Sequence, residues 1–229
     1  MSTTAFQNRL AATRTIRVKT LLEWGGIVAG AVLIAFGVVS IVMGVQGRST
    51  VRDSLKLEQI VGSPDMTPAA IKVEAQKAGL DLSKLTLPTK SVAGLEINTG
   101  DRARTFAQYM RIHTLEATGG LTYAQMPRFA TEDGKGTNDA AVALKDPKTG
   151  QPQDNGKRNI WVTETALTTA LNTSYLAEQI SLFGVVVGIA LLLSGIGFGV
   201  LAAAGALRGR EAMVHLPSHK SEGKAVPAV

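Results

Sequence analysis

The stretch GGIVAGAVLIAFGVVSIVMGV, Gly25 to Val45, decides the fold. It runs for 21 residues without a charge, between Glu23 and Arg48. A hydrocarbon core about 30 Å thick needs about 20 apolar residues at about 1.5 Å rise each. Eleven of the 21 residues are Ile, Val, Leu or Phe. At roughly −0.3 to −0.6 kcal/mol apiece they favour insertion by about 3–7 kcal/mol, before the glycine penalties. A second run, ISLFGVVVGIALLLSGIGFGVLAAAGAL from Ile180 to Leu207, is longer and stops at Arg208. The first run exceeds the usual signal-peptide core and ends in Met43-Gly44-Val45-Gln46-Gly47-Arg48, without an A-x-A-like site. It reads as an uncleaved signal-anchor. The sequence therefore predicts an all-α membrane protein. Two transmembrane helices, extended beyond the membrane, bracket a mainly helical extracytoplasmic domain.

Charge sets the expected orientation. Residues 1–20 hold Arg9, Arg14, Arg17 and Lys19 and no acid. The segment after the second run carries Arg208, Arg210, Lys220 and Lys224 against Glu211 and Glu222. The 131 residues from Arg48 to Glu178 balance 16 basic against 15 acidic side chains. Short basic flanks face the cytoplasm, and long segments escape that rule. The expected layout is a cytoplasmic basic arm over residues 1–20 and a first span over 21–47. An outer domain over 48–178 follows, then a second span over 179–207 and a disordered cytoplasmic tail over 208–229. The net charge of +6 is accounted for by this topology rather than by nucleic acid. The membrane in question would be the plasma (inner) membrane.

Both runs carry glycine along one helical face: Gly26, Gly30, Gly37 and Gly44 in the first, Gly184, Gly188, Gly195 and Gly199 in the second. In lipid, helices associate by close packing of small residues. These eight positions are the expected helix-packing residues, within one chain or between chains. Neither run contains an ionisable side chain, which argues against a proton or ion pathway.

Between the runs, Thr67 to Ala78 is a well-punctuated helix, with Thr67 as N-cap, Pro68 in the first turn and Gly79 as stop. Asp81 to Gly100 reads as mostly irregular, with an extended piece at Ser91 to Ile97. Asp101 to Thr118 is a second helix whose apolar stripe is Phe106, Tyr109, Met110, His113 and Ala117. Thr131 to Asn159, rich in Gly, Asp, Asn, Lys and Pro, reads as a mobile polar loop. Ile160 to Gln179 resumes a helical pattern that should run on into the second span.

Few residues suggest chemistry. The chain has no cysteine, which excludes disulfides, thiol catalysis and thiolate metal sites. Its three histidines are His113, His215 and His219. His113 and Glu116 lie one turn apart, and the expectation is a histidine packed on an apolar face with its ring hydrogen-bonded. Pro217 breaks the helical spacing of His215 and His219. Asp133, Asp139, Asp146 and Asp154 lack the calcium-loop pattern. Asn172-Thr173-Ser174 matches a glycosylation sequon. No catalytic constellation, cofactor motif or metal set is expected.

The stretch Ala103-Arg104-Thr105-Phe106-Ala107 through Ile112-His113-Thr114-Leu115-Glu116-Ala117-Thr118-Gly119-Gly120-Leu121-Thr122-Tyr123-Ala124-Gln125-Met126 resembles a family of small actinobacterial two-span membrane proteins. Leu182 to Leu201 after Asn172 to Ala177 also looks like that family's ending. Members often carry the label aromatic ring-opening dioxygenase. Extradiol ring opening uses ferrous iron on two histidines and a carboxylate. On the topology above only His113 is on the outer face, so the resemblance implies architecture and an envelope location without that activity. The expected function is a non-enzymatic envelope protein that binds another membrane or envelope protein, or itself. The alternative is a ligand-sensing subunit signalling through a partner helix.

Overall fold

The computed structural model describes residues 3–204, with side chains in the first helix from Trp24 onward. The described residues are helical, without strands: α1 is Thr3–Leu57, α2 Pro68–Lys77, α3 Gly100–Ala117 and α4 Gly156–Ala203, with a short 3-10 turn at Leu82–Lys84. The 55 residues of α1 and 48 of α4 contain no proline, so nothing interrupts their hydrogen-bond ladders. Both are long and apolar enough to cross a membrane. The predicted run of Ile160 to Gln179 into the second apolar stretch is observed, and the helix starts earlier, at Gly156. The 208–229 segment, with His215 and His219, lies outside the described residues.

The chain divides into two compact units, residues 1–38 with 190–229, and residues 39–189. In the described part of the first unit α1 packs on α4 through small residues. A Cβ built on Gly30 would lie 2.9 Å from the Gly195 carbonyl oxygen, and one on Gly195 would lie 2.7 Å from that of Gly30.

The second unit contains a hydrophobic core around α3. Ile71 and Ala75 of α2, Leu55 of α1 and Leu171 of α4 meet Ala103, Phe106, Ala107, Tyr109 and Ile112. A smaller cluster joins Leu115, Met126 and Trp161. The stripe on α3 is wider than the sequence suggested. Ala103, Thr105, Ala107, Ile112, Thr114 and Leu115 are also buried, whereas Ala117 is exposed, because neighbours cover α3 on more than one side. Tyr109 is fully buried and donates its hydroxyl to the Lys90 carbonyl at 2.9 Å.

The caps form where the residue types demand them. Thr67 accepts from the Ala70 amide, with Pro68 opening α2, and Gly79 takes φ +71°. The extended piece within 91–97 pairs with residues 60–66: Ile97 donates to Ile60, Gly94 to Gly62 and Val92 to Met66. Gly62 is required there, since a Cβ would overlap the Val92 carbonyl.

The polar segment over 131–159 is cross-linked by its own backbone. Phe129 exchanges two bonds with Thr137, Ala130 bonds Gln153 and Leu144, and Asp146 bonds Gln151. Three of its four aspartates serve as turn residues. Asp133 Oδ1 accepts from the Lys135 amide, Asp139 Oδ1 from Ala141, and Asp146 Oδ1 from Lys148 and Thr149. The Gly-, Asp- and Asn-rich composition here builds a chain of Asx turns.

Candidate functional site

Among the eight glycines expected to pack, Gly30, Gly44 and Gly195 sit against the neighbouring helix with no room for a Cβ. A Cβ on Gly44 would lie 2.5 Å from the Ser181 carbonyl oxygen and 2.7 Å from Val185. Gly184 has ordinary contact room at 3.8 Å, and Gly199 opens on free space. Gly37 and Gly188 are buried and Gly26 is half-buried. Gly47, not among the eight, faces Ser181, its Cβ position 2.5 Å from the hydroxyl oxygen.

Next to this seam sits a charged node. Glu178 of α4 is buried, and its Oε2 accepts from the Gly100 amide, at the start of α3, at 2.6 Å. Its Oε1 receives Arg52 at 2.9 Å and Arg48 at 3.3 Å, both from α1. A carboxylate at a helix N-terminus is favoured by the exposed amides and the macrodipole. Gly100 is needed because a Cβ would lie 2.8 Å from Tyr175 Cα. Burial alone would push the Glu178 carboxyl up. The Gly100 amide and the two guanidinium groups outweigh it, and the group titrates below its ordinary value. A depressed carboxylate stabilises the fold above its unfolded pKa, about 4.3, and that contribution is lost as pH falls through the lower folded value. Glu178→Gln should therefore lower unfolding stability at neutral pH by about 2 kcal/mol, discounted for the half-exposed arginines. The variant should also lose part of the acid sensitivity below about pH 4.5. Denaturant titrations from pH 7 to 3 check both, and parallel acid limbs in the two proteins would contradict the assignment.

The second unit also bears an open groove of about 940 Å³ between the Ala78–Thr86 segment, α3 and α4. Arg104, Gln108 and Arg111 of α3 and Glu164, Thr168 and Asn172 of α4 line it. Asn172 of the sequon thus sits in mid-helix on the groove wall. Arg104 stacks on Tyr175 at 4.7 Å and Arg111 on Trp161 at 4.1 Å, which fixes both guanidinium groups. Arg111 also stands 3.6 Å from the buried Glu164 carboxylate.

On another side of α3, His113 departs from the expected hydrogen-bonded ring on an apolar face. Three carboxylates surround it: Asp65 lies 3.5 Å from Nε2, and Glu74 and Glu116 lie 3.7 and 3.8 Å from Nδ1. No hydrogen bond satisfies Nε2 or Glu74 Oε2, although both atoms are shielded from solvent. The Ser63 hydroxyl lowers the Asp65 carboxyl against a smaller opposing effect of burial, helped by the Asp65 amide and by His113. Reading His113 with Glu116 alone missed Asp65 and Glu74, because only the packing of α2 and its preceding turn on α3 brings them in. The one local clue was that Glu74 lies between the buried Ile71 and Ala75, which keeps it close to the α3 interface.

Comparison with protein-family models, curated proteins and solved structures gives no match.

Proposed function

We propose that the chain is a two-span integral membrane protein whose middle domain, residues 48–178, lies outside the cytoplasmic membrane and docks a partner membrane or envelope protein. One observation carries the reading. In the most apolar windows of α1 and α4 only 11% and 17% of residues are buried, with Phe36, Met43, Phe183 and Leu193 all exposed. A core helix of a water-soluble protein would be mostly covered. An apolar sheath of this extent fits hydrocarbon. The basic flanks support cytoplasmic termini. The groove beside Gln108, with its pinned arginines, offers a concave polar surface to a partner segment, and no catalytic constellation lines it.

The second reading, a ligand-sensing subunit, draws on the same groove, whose volume falls in the range of small-molecule sites, about 300–1,000 Å³.

The chain lacks cysteine, so single cysteines can be placed at Ser83, Thr137 and Ser218 and whole cells labelled with an impermeant thiol reagent. Labelling at Ser83 and Thr137 but not Ser218 is expected; labelling at Ser218 alone would invert the topology. A photo-crosslinker at Gln108 should then capture a membrane or envelope protein. A groove that crosslinks only to small ligand analogues would favour the sensing role.

A further inference from the structure

We propose that Asp65, Glu74 and His113 bind one divalent transition-metal ion of the zinc class, with Glu116 positioning the imidazole. Each of the three residues offers one donor atom, and these atoms lie within 4.8 Å of one another. Ligands about 2.0–2.2 Å from zinc stand roughly 3.4 Å apart in a tetrahedral shell. Side-chain rotations of about 1 Å therefore close the set around an ion. Asp65 and Glu74 retain partial exposure that allows such rotation.

Two observations beyond the gathering of acids point to a cation. His113 Nε2 and Glu74 Oε2 are shielded from solvent, yet neither has a hydrogen-bond partner. Buried polar atoms are normally paired, and one ion drawing Asp65, Glu74 and His113 together satisfies both. The second observation is the division of the imidazole edges. Asp65 faces Nε2 at 3.5 Å, while Glu74 and, from one turn further along α3, Glu116 stand nearest Nδ1 at 3.7 and 3.8 Å. A metal-binding histidine typically gives its other ring N–H to a carboxylate, which fixes the tautomer and orientation. With Glu74 turned to the ion, Glu116 is the carboxylate left beside Nδ1 to take that role, and Nε2 coordinates with Asp65.

The donor chemistry selects the ion class. One imidazole nitrogen with carboxylate oxygens suits Zn²⁺, Co²⁺, Ni²⁺ or Mn²⁺, whereas Ca²⁺ and Mg²⁺ take oxygen shells. The ligands stand on defined structure. Met66 and Thr67 amides close the turn around Asp65 by bonding the Ser63 and Asp65 carbonyls. Glu74 sits in the capped α2, and His113 in mid-α3. The ion would staple the α1–α2 turn and α2 onto α3. This inference does not depend on the docking role or on the topology.

The test uses the full-length chain in detergent, purified through a tag without histidine, stripped with chelator and titrated with Zn²⁺ by calorimetry and Co²⁺ by visible absorption. One equivalent of Zn²⁺, a rise in Tm and Co²⁺ bands of mixed nitrogen and oxygen ligation are expected. His113→Gln and Glu74→Gln should each abolish the equivalent. Glu116→Gln should keep the Co²⁺ bands while weakening affinity about 10–100-fold. Replacing His215 and His219 by Gln should leave binding unchanged. Absence of stoichiometric uptake by the wild type overturns the site, as does an equivalent that survives His113→Gln. Circular dichroism verifies each fold. Should His113→Gln not fold, Asp65→Asn and Glu74→Gln decide, and full affinity in both refutes the proposal.

Discussion

Trp161→Ala should lower the stability of the 39–189 unit by about 3–5 kcal/mol, the range for deleting a buried tryptophan. Trp161 is 2% exposed, packs with Leu115 and Met126, and carries Arg111 on its face at 4.1 Å. Its indole N–H donates to the Leu121 carbonyl at 2.8 Å. Truncation removes all of this at once, leaving a cavity, a Leu121 carbonyl reduced to its Thr118 hydroxyl donor and a guanidinium without its platform. The Gly119-Gly120 turn beyond α3, with φ +69° and +79°, is tied to α4 by the same indole bond at Leu121. Thermal unfolding in detergent, followed by near-ultraviolet circular dichroism, checks the loss. The other tryptophan, Trp24, is 64% exposed and serves as the control. Trp24→Ala should leave the same transition nearly unmoved, and equal effects of the two substitutions would contradict the packing described.

Gly44→Leu should break the α1–α4 seam in the 39–189 unit. The obstructing atoms are mainly backbone, the Ser181 carbonyl oxygen and the Val185 amide nitrogen, so no rotamer change relieves the clash and the helices must separate. Overpacking a well-filled contact costs about 1–3 kcal/mol when neighbours yield, and here they cannot without moving a helix. A disulfide reports the separation directly. The Cβ position of Gly47 is 3.4 Å from Ser181 Cβ, close to the about 3.5–4.5 Å of natural disulfides. The pair Gly47→Cys and Ser181→Cys should oxidise readily within one chain. Adding Gly44→Leu should reduce that yield severalfold, whereas Gly199→Leu, directed into open space, should not. A bond that joins two chains instead would place the seam between protomers.

Much of the architecture was legible because its signals are local. The apolar runs need only length and the absence of charge. Thr67, Pro68 and Gly79 bound α2 by steric and capping rules that act over a few residues. The periodicity around Phe106 and Tyr109 located α3. What stayed hidden depends on residues far apart in sequence. Nothing near Gly100 announces that a carboxylate 78 positions later accepts its amide. Nothing near His113 announces Asp65, 48 positions earlier. Gly30, Gly44 and Gly195 lie where α1 and α4 approach closely, whereas Gly199, on the same expected face, opens on free space, which spacing alone does not distinguish. In the 131–159 segment the residue types announce turns, but the pairing of Phe129 with Thr137 and of Leu144 with Gln153 joins positions that composition does not link.

The Glu178 node has a mechanical consequence. One carboxylate joins three helices, holding Arg48 and Arg52 of α1 with one oxygen and the first amide of α3 with the other. At 2.6 Å the bond to Gly100 has about 0.6 Å of slack before it leaves hydrogen-bonding range. A piston shift of α4 along α1 by even a fraction of a helical turn, itself about 5.4 Å, would exceed that slack. α3 must then travel with α4 or lose the acceptor at its first amide. Displacement along the long helices is thereby transmitted to the helix that carries both His113 and the groove arginines.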